Sequence, residues 1–177
     1  MYPNLKIKVK NLKYTLITTF HKEGMQQYGQ RMIDTFEKYW PAQVDLVVYT
    51  ENCNPITTKS NVRVVDLLAS SPECRAFVER HRNNPQAHGN NVETQDPRKQ
   101  FKWDAVRFCY KVFATGLAVN TIKETDWLVW CDADTLTHTP VPVEFMGSIS
   151  PFNAMITYLG RGDTYHPECG WVGYNLR

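Results

Sequence analysis

Apolar positions along the chain follow two periods. Short runs of β-branched and aromatic residues mark strands, and apolar residues recurring every three or four positions mark helices. "YTLITT" over 14–19 is a strand. In the following "KEGMQQYGQRMIDTFEKYW", Tyr28, Met32, Ile33, Phe36 and the pair Tyr39/Trp40 share helical spacing, and Pro41 ends the pattern. "VDLVVYT" over 44–50 is a second strand, closed by the turn-like "ENCNP". "VRVVDLL" over 62–68 is a third, shorter one. "SPECRAFVERH" predicts a helix capped by Ser71, with Pro72 in its first turn. Residues 83–100, "NNPQAHGNNVETQDPRKQ", are polar and broken by Gly and Pro, which predicts a long, poorly ordered loop near the site.

"FKWDAVRFCYKVFATGLAVNTIKE" then predicts a long helix, with Phe101, Val106, Phe108/Cys109, Val112/Phe113 and Leu117 as its apolar stripe. "WLVWC" over 127–131 reads as a buried strand. A loop with Pro140 and Pro142, a helical turn "VEFMG", a strand "AMITYL" and a last apolar stretch "CGWVGYNL" complete the chain. Trp103, Phe108, Trp127 and Trp130 fall at core spacing, whereas Gly170 and Gly173 flank Trp171 and leave room for a ligand there. This order of elements predicts an α/β fold, a mainly parallel central sheet with helices on both faces, in a single domain over 1–177. Ligands of such sheets bind beyond the carboxyl ends of the strands.

Composition narrows the picture only a little. The 177 residues are 42% hydrophobic and 21% charged, ordinary values for a globular domain. A net charge of +2 does not by itself suggest a nucleic-acid or membrane surface. No apolar run approaches the roughly 20 residues that span a bilayer. The N-terminal "MYPNLKIKVKNLKY" alternates Lys with apolar residues and lacks a signal-peptide core. Five widely spaced cysteines without a CxxC pair read as reduced thiols of a cytoplasmic protein, with no zinc site.

The candidate chemistry lies where the apolar run 127–131 gives way to Asp132 and Asp134. Residues two apart on a strand point to one side. Two like charges facing one way repel, at a cost that grows with burial. A divalent cation removes that repulsion, and hard ions such as Mn2+ or Mg2+ take one or two carboxylates together with the oxygens of a diphosphate. The alternative is a solvated strand end with two unrelated acids. Arg107 and Lys111, four apart on the long helix, share a face and could meet phosphate as a fork and a point charge. They could equally form a solvated cationic face, or pair with Asp104. Tyr49, Thr50 and Glu51 end the second strand at the same sheet edge, as nucleotide contacts or as turn residues. His21, His81 and His88 carry no signal.

"WLVWCDADTLTHTPVP", preceded by "FKWDAVRFCYKVFA", resembles the nucleotide-sugar-dependent glycosyltransferases of the GT-A fold, a Rossmann-like nucleotide-binding architecture. The early "LITTFHKEGMQQYGQRMIDTF" is similar to that family's first strand and helix, and "HPECGWVGYN" to the segment after its DxD. The resemblance implies transfer of a sugar from a nucleotide-diphosphate sugar, a UDP-sugar first, to an unknown acceptor. It implies that Thr18, Thr19 and Phe20 lie against the nucleoside, that Asp132 contacts ribose or metal, and that Asp134 holds the metal. Arg107 and Lys111 would sit near the phosphates or stabilise the carboxylates, and Glu168 would face the acceptor as the catalytic carboxylate. The chain ends soon after "CGWVGYN", where members of that family usually continue and often add a His ligand. A minimal form, a fragment of a longer enzyme or a weak catalyst is therefore expected; His138 and His166 could substitute as ligands, although a lone His after a turn is more often a surface residue. Two other readings stay open: a non-catalytic nucleotide-sugar-binding module, and a haloacid-dehalogenase-like phosphatase, whose pattern Leu136 does not fit.

Overall fold

A computed structural model describes residues 12–90, 103–151, 153–160, 162 and 168–177, with the side chain of Glu168 outside that description. Six strands form one sheet: β1 (Tyr14–His21), β2 (Val44–Glu51), β3 (Val62–Asp66), β4 (Trp127–Cys131), β5 (Ile156–Leu159) and β6 (Glu168–Asn175). Their order is β3-β2-β1-β4-β6-β5. The first four pair in parallel, and β6 runs antiparallel to both β4 and β5. The expected mainly parallel α/β sheet is present, with a two-stranded antiparallel flank that local pattern did not show.

Helices cover both faces. On one, α1 (Lys22–Gly24), a π-helical turn (Met25–Gly29) and α2 (Gln30–Tyr39) follow β1, and α6 (Val143–Ile149) adds Met146. Met32, Ile33 and Phe36 pack there with Leu16, Phe20, Leu46, Val48, Trp127 and Val129. On the other face, α3 (Leu67–Ser70), α4 (Pro72–His81) and α5 (Ala105–Thr121) bury Leu67, Cys74, Cys109, Ala114 and Ala118 against Ile17, Val47, Tyr49, Leu128 and Trp130. All five residues of β4 are buried, as a strand covered on both faces requires.

Local chemistry explains most element ends. Ser71 Oγ accepts from the Cys74 N–H and Pro72 opens α4, as expected. Asp66 caps α3 in the same way, so the third strand stops at Asp66 and does not reach 68. The long helix starts at Ala105, because the Asp104 carboxylate accepts from the Arg107 N–H. Its stripe is turned from the expected one: Val106 and Cys109 are buried, but Phe108 and Val112 are exposed. Trp103 is exposed too, whereas Trp127 and Trp130 are core residues as expected. Phe101 lies outside the described residues.

Two further expectations change. Within 83–100, Pro85–His88 form a 3-10 turn capped by Asn84, and His88 Nε2 lies 3.1 and 3.0 Å from the carbonyls of His81 and Arg82. Both partners are acceptors, so that nitrogen carries the proton. Residues 91–100 lie outside the described residues. Trp171 is buried and stacked on Trp40, with ring centroids 6.1 Å apart. The space at Gly173 is taken by its neighbours, since a Cβ there would meet Thr157 Oγ1 at 2.6 Å and Trp127 at 3.3 Å.

Packing at Gly29 is similarly close. A Cβ would lie 2.7–2.9 Å from three atoms of the Phe20 ring. Gly29→Ala should therefore cost about 1–3 kcal/mol through overpacking. Gly116→Ala, where nothing lies within 4 Å, should gain up to about 1 kcal/mol from helix propensity. Urea unfolding midpoints of the two variants should move in opposite directions.

Candidate functional site

The carboxyl ends of β1, β2 and β4 open onto a cleft with two lobes. The larger, about 510 Å3, is walled by Phe20 and His21 from β1, Glu51 from β2, His88, and Asp104 and Tyr110 around the start of α5. The smaller, about 310 Å3, holds Asp132, Asp134, Lys111, Phe108, Trp130 and Cys169. Thr19, Tyr28 and Arg107 line both.

Asp132 follows directly on β4, and Asp134 lies in the turn after it, where the Thr135 N–H bonds the Asp132 carbonyl at 3.1 Å. The two acids share a lobe because of that turn, and strand alternation, on which the sequence expectation rested, ends at Cys131. Asp132 is held from three sides. Its N–H donates to the Gly170 carbonyl at 2.8 Å, its Oδ1 accepts from the Trp130 indole, and Lys111 Nζ lies 3.5 Å from the same oxygen. Lys111 also donates to the Cys169 carbonyl at 2.6 Å and lies 4.6 Å from the Trp130 ring centre. Asp134 is exposed.

Of the other residues singled out in the sequence, Thr19, Phe20, Arg107 and Lys111 line the cleft. Thr18 does not. It is fully buried, because alternation along β1 turns it to the side of Leu16 and Phe20, under the first helix. Tyr49 and Thr50 are buried in the sheet, so only Glu51 of that trio reaches the cleft. Glu168 opens β6 next to Cys169, and its side chain lies outside the described residues. His138 is exposed, and His166 lies outside the described residues. Among the described residues no three His, Cys, Asp or Glu side chains converge as a metal cluster. Cys53, Cys74, Cys109 and Cys131 are buried free thiols, and no described helix is long and apolar enough to cross a membrane.

Sequence reasoning missed Tyr28, His88 and Tyr110 as cleft residues and gave Glu51 no special place. Burial pushes the Glu51 carboxyl up to about 7, opposed by the Thr19 hydroxyl, 3.2 Å away, and by His21. No local pattern signals that shift, since distant elements create the burial.

No family model matches the chain, and no curated protein matches it. Among solved structures it is similar to mouse xyloside xylosyltransferase 1 in its apo form, with 13% identity and a TM-score of 0.46. The match covers 93% of this chain and 68% of that one. A likeness this low carries no argument about function.

Glu51 generates a prediction. Its folded pKa, about 7, stands above the ordinary 4.5, so the folded state favours the protonated form. That stability is fully present below about 4.5 and is lost as pH rises through about 7. At about 1.4 kcal/mol per pKa unit, the loss is on the order of 3–4 kcal/mol. Glu51→Gln should flatten this part of the stability profile, so that the variant gains on the wild type above pH 7 in urea titrations across the range.

Proposed function

We propose that the chain is a glycosyltransferase domain that moves a sugar from a nucleotide-diphosphate sugar, a UDP-sugar first, to an acceptor. One observation carries the reading: Asp132 and Asp134 share a lobe with Arg107 and Lys111 beyond the carboxyl ends of parallel strands. That combination of two acids and two cations suits a diphosphate with its divalent ion.

The donor set fits Mn2+ or Mg2+. Hard cations take one or two carboxylates and complete their shell with phosphate and water oxygens. Asp132 and Asp134 would hold the ion, which when bound supplies Lewis-acid stabilisation of the leaving diphosphate. The protein's own groups act alongside. Negative charge grows on the diphosphate as the glycosidic C–O bond breaks, and Arg107 and Lys111 are positioned to stabilise it. Lys111 is already fixed by Cys169 and Asp132, so little reorganisation is needed at that point. Glu168, next to Cys169 in the chain, is the proposed acceptor-side carboxylate, which in an inverting reaction takes the acceptor proton.

Calorimetric titration of UDP tests the reading. Wild-type binding should need Mn2+ and disappear with chelator. Asp134→Ala should weaken it at least tenfold while leaving the fold nearly intact, because deleting one of two like charges relieves repulsion in the free protein. Asp134→Asn should fall between the two. Wild-type binding that ignores chelator, or unchanged binding by Asp134→Ala, would refute the metal–diphosphate site. Binding without transfer or hydrolysis of a UDP-sugar would instead mark a binding module.

A further inference from the structure

The cleft has a neck. Its two lobes share three residues: Thr19 from β1, Arg107 from α5, and Tyr28 from the π-helical turn Met25–Gly29. A π turn closes i→i+5 hydrogen bonds and inserts extra length into a helix, shifting the residues before it relative to those after. The expected helical stripe joined Tyr28 to Met32, Ile33 and Phe36. In the structure those three are closed in the core, while Tyr28 is only partly buried and lines both lobes.

Gly24 lets it sit there. A Cβ at that position would lie 2.5 Å from the Tyr28 hydroxyl and 2.9 Å from Cζ. The hydroxyl lies in the field of Arg107, Asp134, Glu51 and Asp132, charges drawn from both lobes. Burial raises its pKa, so it remains a neutral donor at neutral pH. The neck thus presents donors, while the acids lie to either side: Glu51 in the larger lobe, Asp132 and Asp134 in the smaller. Thr19 Oγ1 already donates to Glu51, which leaves Tyr28 and Arg107.

We propose that Tyr28 is a ligand-binding residue, whose hydroxyl donates a hydrogen bond at the neck, beside Arg107, to the phosphate of a ligand that spans both lobes. This rests on the nucleotide-sugar reading and deepens it, because it assigns the neck to the phosphates and not to the nucleoside.

The test is calorimetry of UDP and of inorganic pyrophosphate, each with Mn2+, on wild type and Tyr28→Phe, with thermal melting to check the fold. Loss of a hydrogen bond to a charged group should weaken both probes by a similar factor, about tenfold. Gly24→Ala, which displaces the hydroxyl and keeps the tyrosine, should weaken both as well. If Tyr28→Phe binds both probes as tightly as wild type, the inference fails while the nucleotide-sugar reading stands. If only UDP binding falls, Tyr28 reads the nucleoside and the inference is wrong. If wild type binds neither probe, the reading and the inference fall together.

Discussion

Burial of β4 on both faces is the constraint from which the site's location follows. Trp127 and Val129 pack into one core, Leu128 and Trp130 into the other, so every side chain of this strand is enclosed. Burying a large apolar side chain contributes roughly 1.5–3 kcal/mol, so the run strongly fixes its place in the sheet. β1 holds it on one side and β6 on the other. Polar chemistry can begin only where the strand ends, and there Asp132 and Asp134 emerge into the cleft.

Lys111 joins the parts around that exit. From α5 it reaches the Cys169 carbonyl of β6, the Asp132 carboxylate and the Trp130 ring. Its pair with Asp132 is partly hydrated and contributes little stability by itself. Its effect is geometric: it sets the spacing between helix and strand ends and offsets one of two neighbouring negative charges. The larger lobe manages its charge differently. Burial there holds Glu51 partly protonated near neutral pH, so the carboxyl can donate as well as accept. One cleft therefore contains an acid pair of which Lys111 offsets one member, and an acid poised near neutrality.

The first helix shows how packing and chemistry share residues. Met32, Ile33 and Phe36 close the core, and the π turn just before them delivers Tyr28 to the neck of the cleft. Phe20 belongs to both, since its ring packs in the core against Gly29 and also lines the larger lobe.

The sequence by itself determined most of the strands, because β-branched runs such as 14–19 and 44–50 are best satisfied in a sheet, but it left β6 as an apolar stretch of no stated type. It determined helix starts such as Ser71-Pro72, where a side chain caps its own neighbours. It also pointed to Asp132 and Asp134, since an apolar run ending in two acids is a local pattern. Tertiary structure decided the rest. The antiparallel direction of β6 depends on the path of the chain between strands, which no local period records. The exposure of Phe108 and Val112 depends on which side of α5 meets the sheet. Thr18 is hidden and Thr19 presented because packing sets the phase of β1. Tyr28 turns into the cleft through a one-turn change of helix type, and Glu51 acquires its raised pKa from elements remote in sequence. Periodicity encodes which residues are apolar neighbours along one element, whereas a site is made by elements meeting, and only the folded chain brings those together.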